Sequence, residues 1–372
     1  MVNSRKKKGL KISLSLTILI NLIGIYSFAQ NRVPEYFEYE MLKITDSVYV
    51  FTRPMPFRVV QGNVTVIINK RDVIVVDGGG SPDAAKIIIK KIKKITSNPV
   101  RYLIITHWHG DHAFGNQEFV KEYPGIEIIS SRFTRDYFVS PGLQYPVTFS
   151  QDKGFKEALD RLDNLIKEVE INKESGYEKV LENLNQKRNH DFYAIRGQYK
   201  KTIITMPTCV FEDRMTIYRG GREISLLSLG FGDTQGDVFV HLPKEKILIT
   251  GDAVVNPVPY GFSSEPLEWI QTLKKASDLD ADVIVPGHGK VQYNKQYLIK
   301  LIESLEAIQV KVKEAIDNGV KSEEIIDKID LRNIETEFTQ QDPVLQFYFR
   351  LYFSKPLVTT LYDKLKSSAL KQ

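Results

Sequence analysis

The chain has 372 residues, 42% hydrophobic and 26% charged, which suits one large globular domain or two ordinary ones and excludes a disordered chain. Five of its 51 lysines and arginines, and no acid, lie within residues 1–29, and these account for the formal net charge of +5. The remainder balances 46 basic against 46 acidic side chains, which argues against a general nucleic-acid surface.

Residues 1–29 have the pattern of a secretory signal. A basic start precedes an apolar stretch over residues 12–29, and Ser27-Phe28-Ala29 offers small residues for cleavage before Gln30. The other reading is an uncleaved anchor, because the stretch approaches the roughly 20 residues that span a bilayer. With cleavage, the expectation is an exported protein, periplasmic or secreted, without a stable membrane span. Cys209 is the one cysteine, so no internal disulfide can form. It has no histidine nearby in sequence, which suits a packing residue rather than a reactive thiol.

From Tyr39 onward, residues 48–51, 64–69 and 73–76 are short apolar or alternating runs of β character. The third ends in Asp77-Gly78-Gly79-Gly80. Ser81-Pro82-Asp83 then supplies a cap, a first-turn proline and an acid for a helix start. Ile88, Ile92 and Ile95 give that helix one apolar face, and lysines cover most of the rest as a solvated surface. Residues 101–105 read as a buried strand, and Thr-His-Trp-His-Gly-Asp-His-Ala-Phe-Gly follows over residues 106–115. Three of the six histidines and one aspartate fall here: His107, His109, Asp111 and His112. A strand end can aim such side chains into one small space. Imidazole nitrogens with a carboxylate suit zinc or a similar borderline metal.

A helix opens around residues 112–116, and residues 126–130 form another strand. Residues 150–200 break this alternation with a helical insertion. Its segments 154–172 and 174–187 are charged, with Leu159, Leu162, Ile166 and Val169 at helical spacing. The insertion either packs over the site as a lid or widens the domain with a solvated face. His190 lies here without a ligand-spaced partner and reads as surface. Strands resume over 209–211, 215–218, 224–229, 238–242, 247–250 and 283–285, with a helix over 267–279. His241 falls inside a strand, as a packed residue rather than a ligand. A helical C-terminal extension, residues 293–372, carries helices over 297–318 and 344–367. Its Phe347, Phe349, Tyr352 and Phe353 face either the core or a second subunit.

Four of the apolar runs end in candidate ligands. Residues 102–105 lead to His107, His109, Asp111 and His112. Residues 224–229 lead to Asp233, 247–250 to Asp252 after Gly251, and 283–285 to His288 within Pro-Gly-His-Gly. Strands that deliver ligands at one sheet edge build a shared site, and the glycines permit close backbone approach.

His107-Trp108-His109-Gly110-Asp111-His112 resembles the signature of the metallo-β-lactamase superfamily, a large group of metal-dependent hydrolases. The resemblance implies an α/β fold, a four-layer αββα sandwich over residues 30–292, with the C-terminal helices packed on it. It implies two divalent metal ions, zinc as first choice and iron or manganese as alternatives. His107 and His109 would bind the first ion, Asp111, His112 and His288 the second, and Asp252 both. Asp77 is similar to an aspartate that supports nearby backbone in the family. One position departs. The family usually shows Gly-His-Thr-x-Gly-Asp in its second segment; here Asp233 replaces the histidine, while Thr234, Gly236 and Asp237 fit. Asp233 either completes the first site or leaves it weak or vacant. As a ligand it cancels one positive charge, which lowers the acidity of bound water and favours harder metals.

The activity so implied is hydrolysis by a metal-bound hydroxide, with Asp111 as ligand, orienting group and proton relay. Asp252 at the bridging position is similar to thioesterases of the glyoxalase II type and to lactonases, and differs from β-lactamases with cysteine there. The implied substrate is a small ester, thioester, lactone or lactam-like molecule, with no nucleic acid expected. Trp108, Phe231, Pro257, Pro259 and Tyr260 flank the ligand-bearing turns as candidate pocket walls. The rival reading is a metal-binding or binding protein that lost turnover when Asp233 replaced histidine. A nuclease would want a further domain and a basic face.

Overall fold

β-branched runs and amphipathic helices alternate through most of the chain. The computed structural model describes residues 38–53, 61–139, 145–262 and 264–369, so the expected signal segment lies outside the described residues. The first half supplies β1 (Glu40–Lys43), β2 (Val48–Thr52), β3 (Val64–Ile68), β4 (Val73–Val76), α1 (Pro82–Ile95), β5 (Val100–Ile104), α2 (Gly110–Ala113), α3 (Asn116–Glu122), β6 (Glu127–Ser131) and α4 (Arg132–Phe138). Helices α5 (Tyr145–Ser150), α6 (Asp152–Asn172), α7 (Tyr177–Gln186) and α8 (Phe192–Tyr199) follow, the last two joined by a π-helical turn at Lys187–Asp191. Then come β7 (Cys209–Phe211), β8 (Arg214–Arg219), β9 (Arg222–Leu227), β10 (Phe239–Leu242), β11 (Ile247–Val255), α9 (Pro266–Asp278) and β12 (Val283–His288). The chain continues with α10 (Gln296–Asp317), α11 (Ile325–Lys328), α12 (Arg332–Thr339), α13 (Pro343–Tyr348), a π-helical turn at Phe349–Ser354, and α14 (Lys355–Ala369).

β1 to β7 form one sheet in sequence order, and β12-β11-β10-β9-β8 form the other. β1 to β4 pair antiparallel through short connections, whereas β4 to β7 pair parallel because helices cross over between them. Val48, Val50, Ile67, Ile74, Val76, Ile104 and Ile129 of the first sheet share a core with Ile224, Leu226, Val240, Leu242, Ile247, Ile249 and Val285 of the second. β4 is buried along its whole length, as a strand covered on both faces must be. On the outer side of the second sheet, Phe239 and Leu248 pack with Trp269 and Leu273 of α9, Leu301 and Leu305 of α10, and Leu357 of α14. The order of layers is therefore helix, sheet, sheet, helix.

α1 starts as its sequence predicts: Ser81 Oγ accepts from Ala84 N at 3.2 Å, Ile88 and Ile92 are buried, and Lys86, Lys90, Lys93 and Lys94 are exposed. Several predicted boundaries change. β11 runs on through Asp252 to Val255, and β12 runs through His288, so both residues lie within strands rather than after them. Their parallel pairing survives two irregularities around Gly251, whose φ of +53° suits glycine. The helix expected to 187 ends at Gln186, and the helix expected unbroken over 344–367 is interrupted; a π-helical turn widens the backbone at each place.

The insertion is not merely a solvated face. Leu162, Ile166, Val180 and Leu184 bury together against Val344 and Phe347, and Phe149, Phe155 and Ala158 pack with Phe192, Ile195 and Tyr199. Tyr348 Oη donates to Asn183 Oδ1 at 2.7 Å, and Arg350 pairs with both Glu174 and Glu335. Among the described residues, no helix is long and apolar enough to cross a membrane.

Candidate metal centre

β4 and β5 end side by side, and Asp77 closes the first of them at φ +66°. Its carboxylate accepts from Thr106 N at 2.8 Å and from Thr106 Oγ1 at 2.9 Å, which sets the path of the chain into the histidine motif. It also faces His112 Nδ1 at 2.8 Å. A carboxylate on one ring nitrogen fixes the tautomer and turns the other nitrogen toward the centre. Backbone support was expected of Asp77; the hold on His112 was not. Thr106 Oγ1 stands 3.0 Å from His107 Nδ1 and orients that ring in the same manner. Behind His112 lies Gly62, where a Cβ would come within 2.3 Å of the ring's Cε1. Nothing in the local sequence marks this glycine. Asp237 builds the turn of Asp233, accepting from Asp233 N at 2.7 Å and from Thr234 Oγ1 at 2.6 Å.

The structure brings all seven predicted residues into two groups. His107, His109, Asp233 and Asp252 form one, and Asp111, His112, Asp252 and His288 the other; within each, one donor atom per residue lies within 4.8 Å of the rest. In the first, His109 Nδ1 is 3.1 Å from Asp233 Oδ2, and His107 Nε2 is 3.7 Å from Asp252 Oδ2. In the second, His288 Nε2 is 3.0 Å from Asp111 Oδ2, and His112 Nε2 is 3.1 Å from Asp252 Oδ1. Four donors about 2.1 Å from one tetrahedral ion stand about 3.4 Å apart, and these spacings bracket that value.

Buried polar atoms supply a second test of fit. His107 Nε2, both carboxylate oxygens of Asp233 and Asp252 Oδ1 make no hydrogen bond of acceptable geometry. His112 Nε2 and His288 Nε2 meet head-on at 3.2 Å. Buried carboxylates without full hydrogen bonding are costly. A divalent cation in each group would satisfy these atoms together, so the donor set fits such ions.

Burial, aided by His112, drives His107 well below its ordinary value, so it is neutral and able to ligate. Burial opposes charge on Asp252, but His288 and His112 outweigh it and hold the carboxyl well below the usual range. Burial raises Asp233; His109 opposes this, while Asp252 and Asp111 add to it. His288 is pushed up to about 9, burial being outweighed by Asp252 and Asp111.

A cavity of about 380 Å³ opens on Asp111. Its walls come from the insertion, with Phe149, Leu162 and Phe192, and from Tyr348 and Tyr352 near the end of the chain; Arg161 and Lys187 add two cations. The expected walls Trp108, Phe231, Pro257, Pro259 and Tyr260 do not line this cavity. Trp108 instead stacks on Tyr137, with ring centroids 5.4 Å apart, and Tyr260 packs against His288 at 5.5 Å. Those aromatic rings brace the turns while helices from elsewhere cover the opening. His241 is buried with Nε2 3.0 Å from the carbonyl oxygen of Asp280, and His190 is exposed; neither joins the centre.

Residues 57–288 match the family described as the metallo-beta-lactamase superfamily. The chain is 23% identical over 274 residues to the linear primary-alkylsulfatase of Pseudomonas sp., covering 70% of this chain and 48% of that protein. It thus spans about half the length of that relative. It is 24% identical to the beta-lactamase-like protein 2 homolog of Caenorhabditis elegans, over 82% of this chain and 78% of that one. Among solved structures, the stereoselective inverting sec-alkylsulfatase Pisa1 from Pseudomonas sp. superposes with a TM-score of 0.59 at 12% identity, over 88% of this chain and 50% of that one. That likeness speaks to the fold alone. The family match, by contrast, takes in both donor groups and the strands that carry them, and so the chain belongs to the metallo-beta-lactamase superfamily.

Proposed function

We propose that the chain hydrolyses a small ester-type substrate with an apolar part, whether ester, thioester, lactone or lactam-like, at a centre of two divalent ions. Zinc is the first choice, with iron or manganese as alternatives. The observation that carries this reading is the largely apolar cavity opening on Asp111. His107, His109 and Asp233 would hold one ion, Asp111, His112 and His288 the other, and Asp252 both. Ions held there would activate water and polarise a substrate oxygen. Asp111 lines the cavity, and its carboxylate accepts a hydrogen bond from the attacking water and orients it. The apolar wall seats the rest of the substrate. The name of the Pseudomonas relative adds an alkyl sulfate to the esters worth testing. We place the enzyme outside the cytoplasm, because residues 1–29 read as a secretory signal.

Metal content per chain, measured after purification without chelators, tests the centre: about two ions in the parent and about one in Asp233→Ala, which loses a donor of one group only. Equal content in both would remove Asp233 from the ligand set. Asp111→Asn is expected to lower kcat on a 4-nitrophenyl ester by about 100- to 10,000-fold. Near-normal turnover in that variant would end the catalytic role of Asp111.

A further inference from the structure

Lys187 has no part in the chemistry above, yet it lines the cavity that opens on Asp111 and is only 8% exposed. It opens the π-helical turn Lys187–Asp191, and widened turns of this kind recur at functional sites. Its Nζ donates to Tyr348 Oη at 3.2 Å and Tyr352 Oη at 3.4 Å, and it stands 4.9 Å from the centre of the Tyr348 ring. Among the described residues it has no carboxylate partner. Both phenols are neutral hydroxyls, and an ammonium has three N–H groups, so one is left without a partner. Burial opposes its charge, and the hydrogen bonds to Tyr348 and Tyr352 favour the ammonium. The buried Asp191 of the same turn acts on Tyr348, but no described carboxylate contacts Lys187 directly; a buried cation without a direct partner is costly, and much of the surrounding wall is apolar. Arg161, exposed, lines the same cavity.

The aromatic rings locate this cation with respect to the metal centre. Tyr352 stands 5.8 Å from Tyr260, and Tyr260 stands 5.5 Å from His288. Two rings thus link Lys187 to the side of His288, and Lys187 and Asp111 enter the same cavity from different segments of the chain. We infer that Lys187 binds an anionic group of the substrate, so that the enzyme acts on an apolar molecule that carries an acid group apart from the hydrolysed bond. This rests on the hydrolase reading above, and it assigns to that site a substrate class. Lys187 then determines specificity, while the bond is cleaved beside Asp111.

The test uses the zinc-loaded full chain. The 4-nitrophenyl monoesters of succinic, adipic, suberic and sebacic acids are compared with 4-nitrophenyl butyrate, hexanoate, octanoate and decanoate. The expected result is a preference in kcat/KM for the acid-bearing ester at one or more lengths. Lys187→Met lowers that preference by about thirtyfold or more, as truncating one partner of a buried charge pair does. Lys187→Arg keeps most of it. Thermal melts show whether each variant folds; if Lys187→Met does not, the parent's preference and its survival in Lys187→Arg decide. No preference in the parent, or equal losses on both ester types in Lys187→Met, overturns the inference and leaves the hydrolase reading intact. If no ester is cleaved, the diacids themselves are titrated by calorimetry. Binding to the parent that is lost in Lys187→Met upholds the inference while the hydrolytic reading falls. Absence of binding overturns both.

Discussion

Asp252→Ala is expected to strip both metal positions at once, taking the content from about two ions per chain to well below one. Asp252 is the residue that the two donor groups share. Its Oδ1 lies 3.1 Å from His112 Nε2, and its Oδ2 lies 3.7 Å from His107 Nε2 and 3.3 Å from His288 Nε2. Alanine therefore removes a donor from each group in one step. It also leaves three buried imidazoles facing a cavity without the carboxylate between them. Hydrolysis should fall by about 1,000-fold or more, the equivalent of the several kcal/mol that metal charge supplies to a transition state. Metal analysis and kcat/KM on one ester, measured on the same preparation, check both parts. A variant that keeps two ions would show that the groups are independent and that Asp252 does not bridge them.

Asp77→Ala should damage the fold and the centre through separate contacts. The carboxylate is 2% exposed and satisfies Thr106 N, Thr106 Oγ1 and His112 Nδ1. Without it a buried N–H loses its partner, at about 1–3 kcal/mol. Alanine must also adopt φ near +66°, an added strain for a side chain that cannot hydrogen-bond locally. His112 then turns more freely, and metal affinity in its group should drop by about 10- to 100-fold. Asp77→Asn separates the effects, because an amide oxygen still accepts from Thr106 N while the charge on His112 is gone. Denaturant unfolding of the metal-free protein should be close to the parent for Asp77→Asn and clearly weaker for Asp77→Ala. Competition with a chelating dye should show reduced affinity in both. Unchanged affinity would mean that other contacts hold His112 in place.

Much of the centre was legible because its residues are local and its spacing is rare. His107, His109, Asp111 and His112 fall within six positions, and Asp252 and His288 follow apolar runs that end in glycine turns. The sheets were legible as well, since alternating or fully apolar runs leave few other ways to bury that surface. The exact ends of β11 and β12 were not, because pairing continued through an irregularity that no residue pattern announces. The cavity walls were misplaced for a different reason. Lys187 stands in a charged helical stretch and reads as one more solvated lysine. Its burial comes from Tyr348 and Tyr352, which lie 161 and 165 positions further on. Proximity in sequence to a ligand marks what braces the ligand; it says little about what covers it.

The join between the insertion and the last helices bears on how selectivity can change. Asn183 and Lys187 bond to Tyr348, Glu174 pairs with Arg350, and Leu162 and Val180 pack with Val344 and Phe347. A graft of either segment from a homologue would break these contacts, whereas a graft of both would carry its own. Substrate range in such a protein is therefore inherited through two distant stretches that must drift in step, while the strand ends beneath them stay as they are.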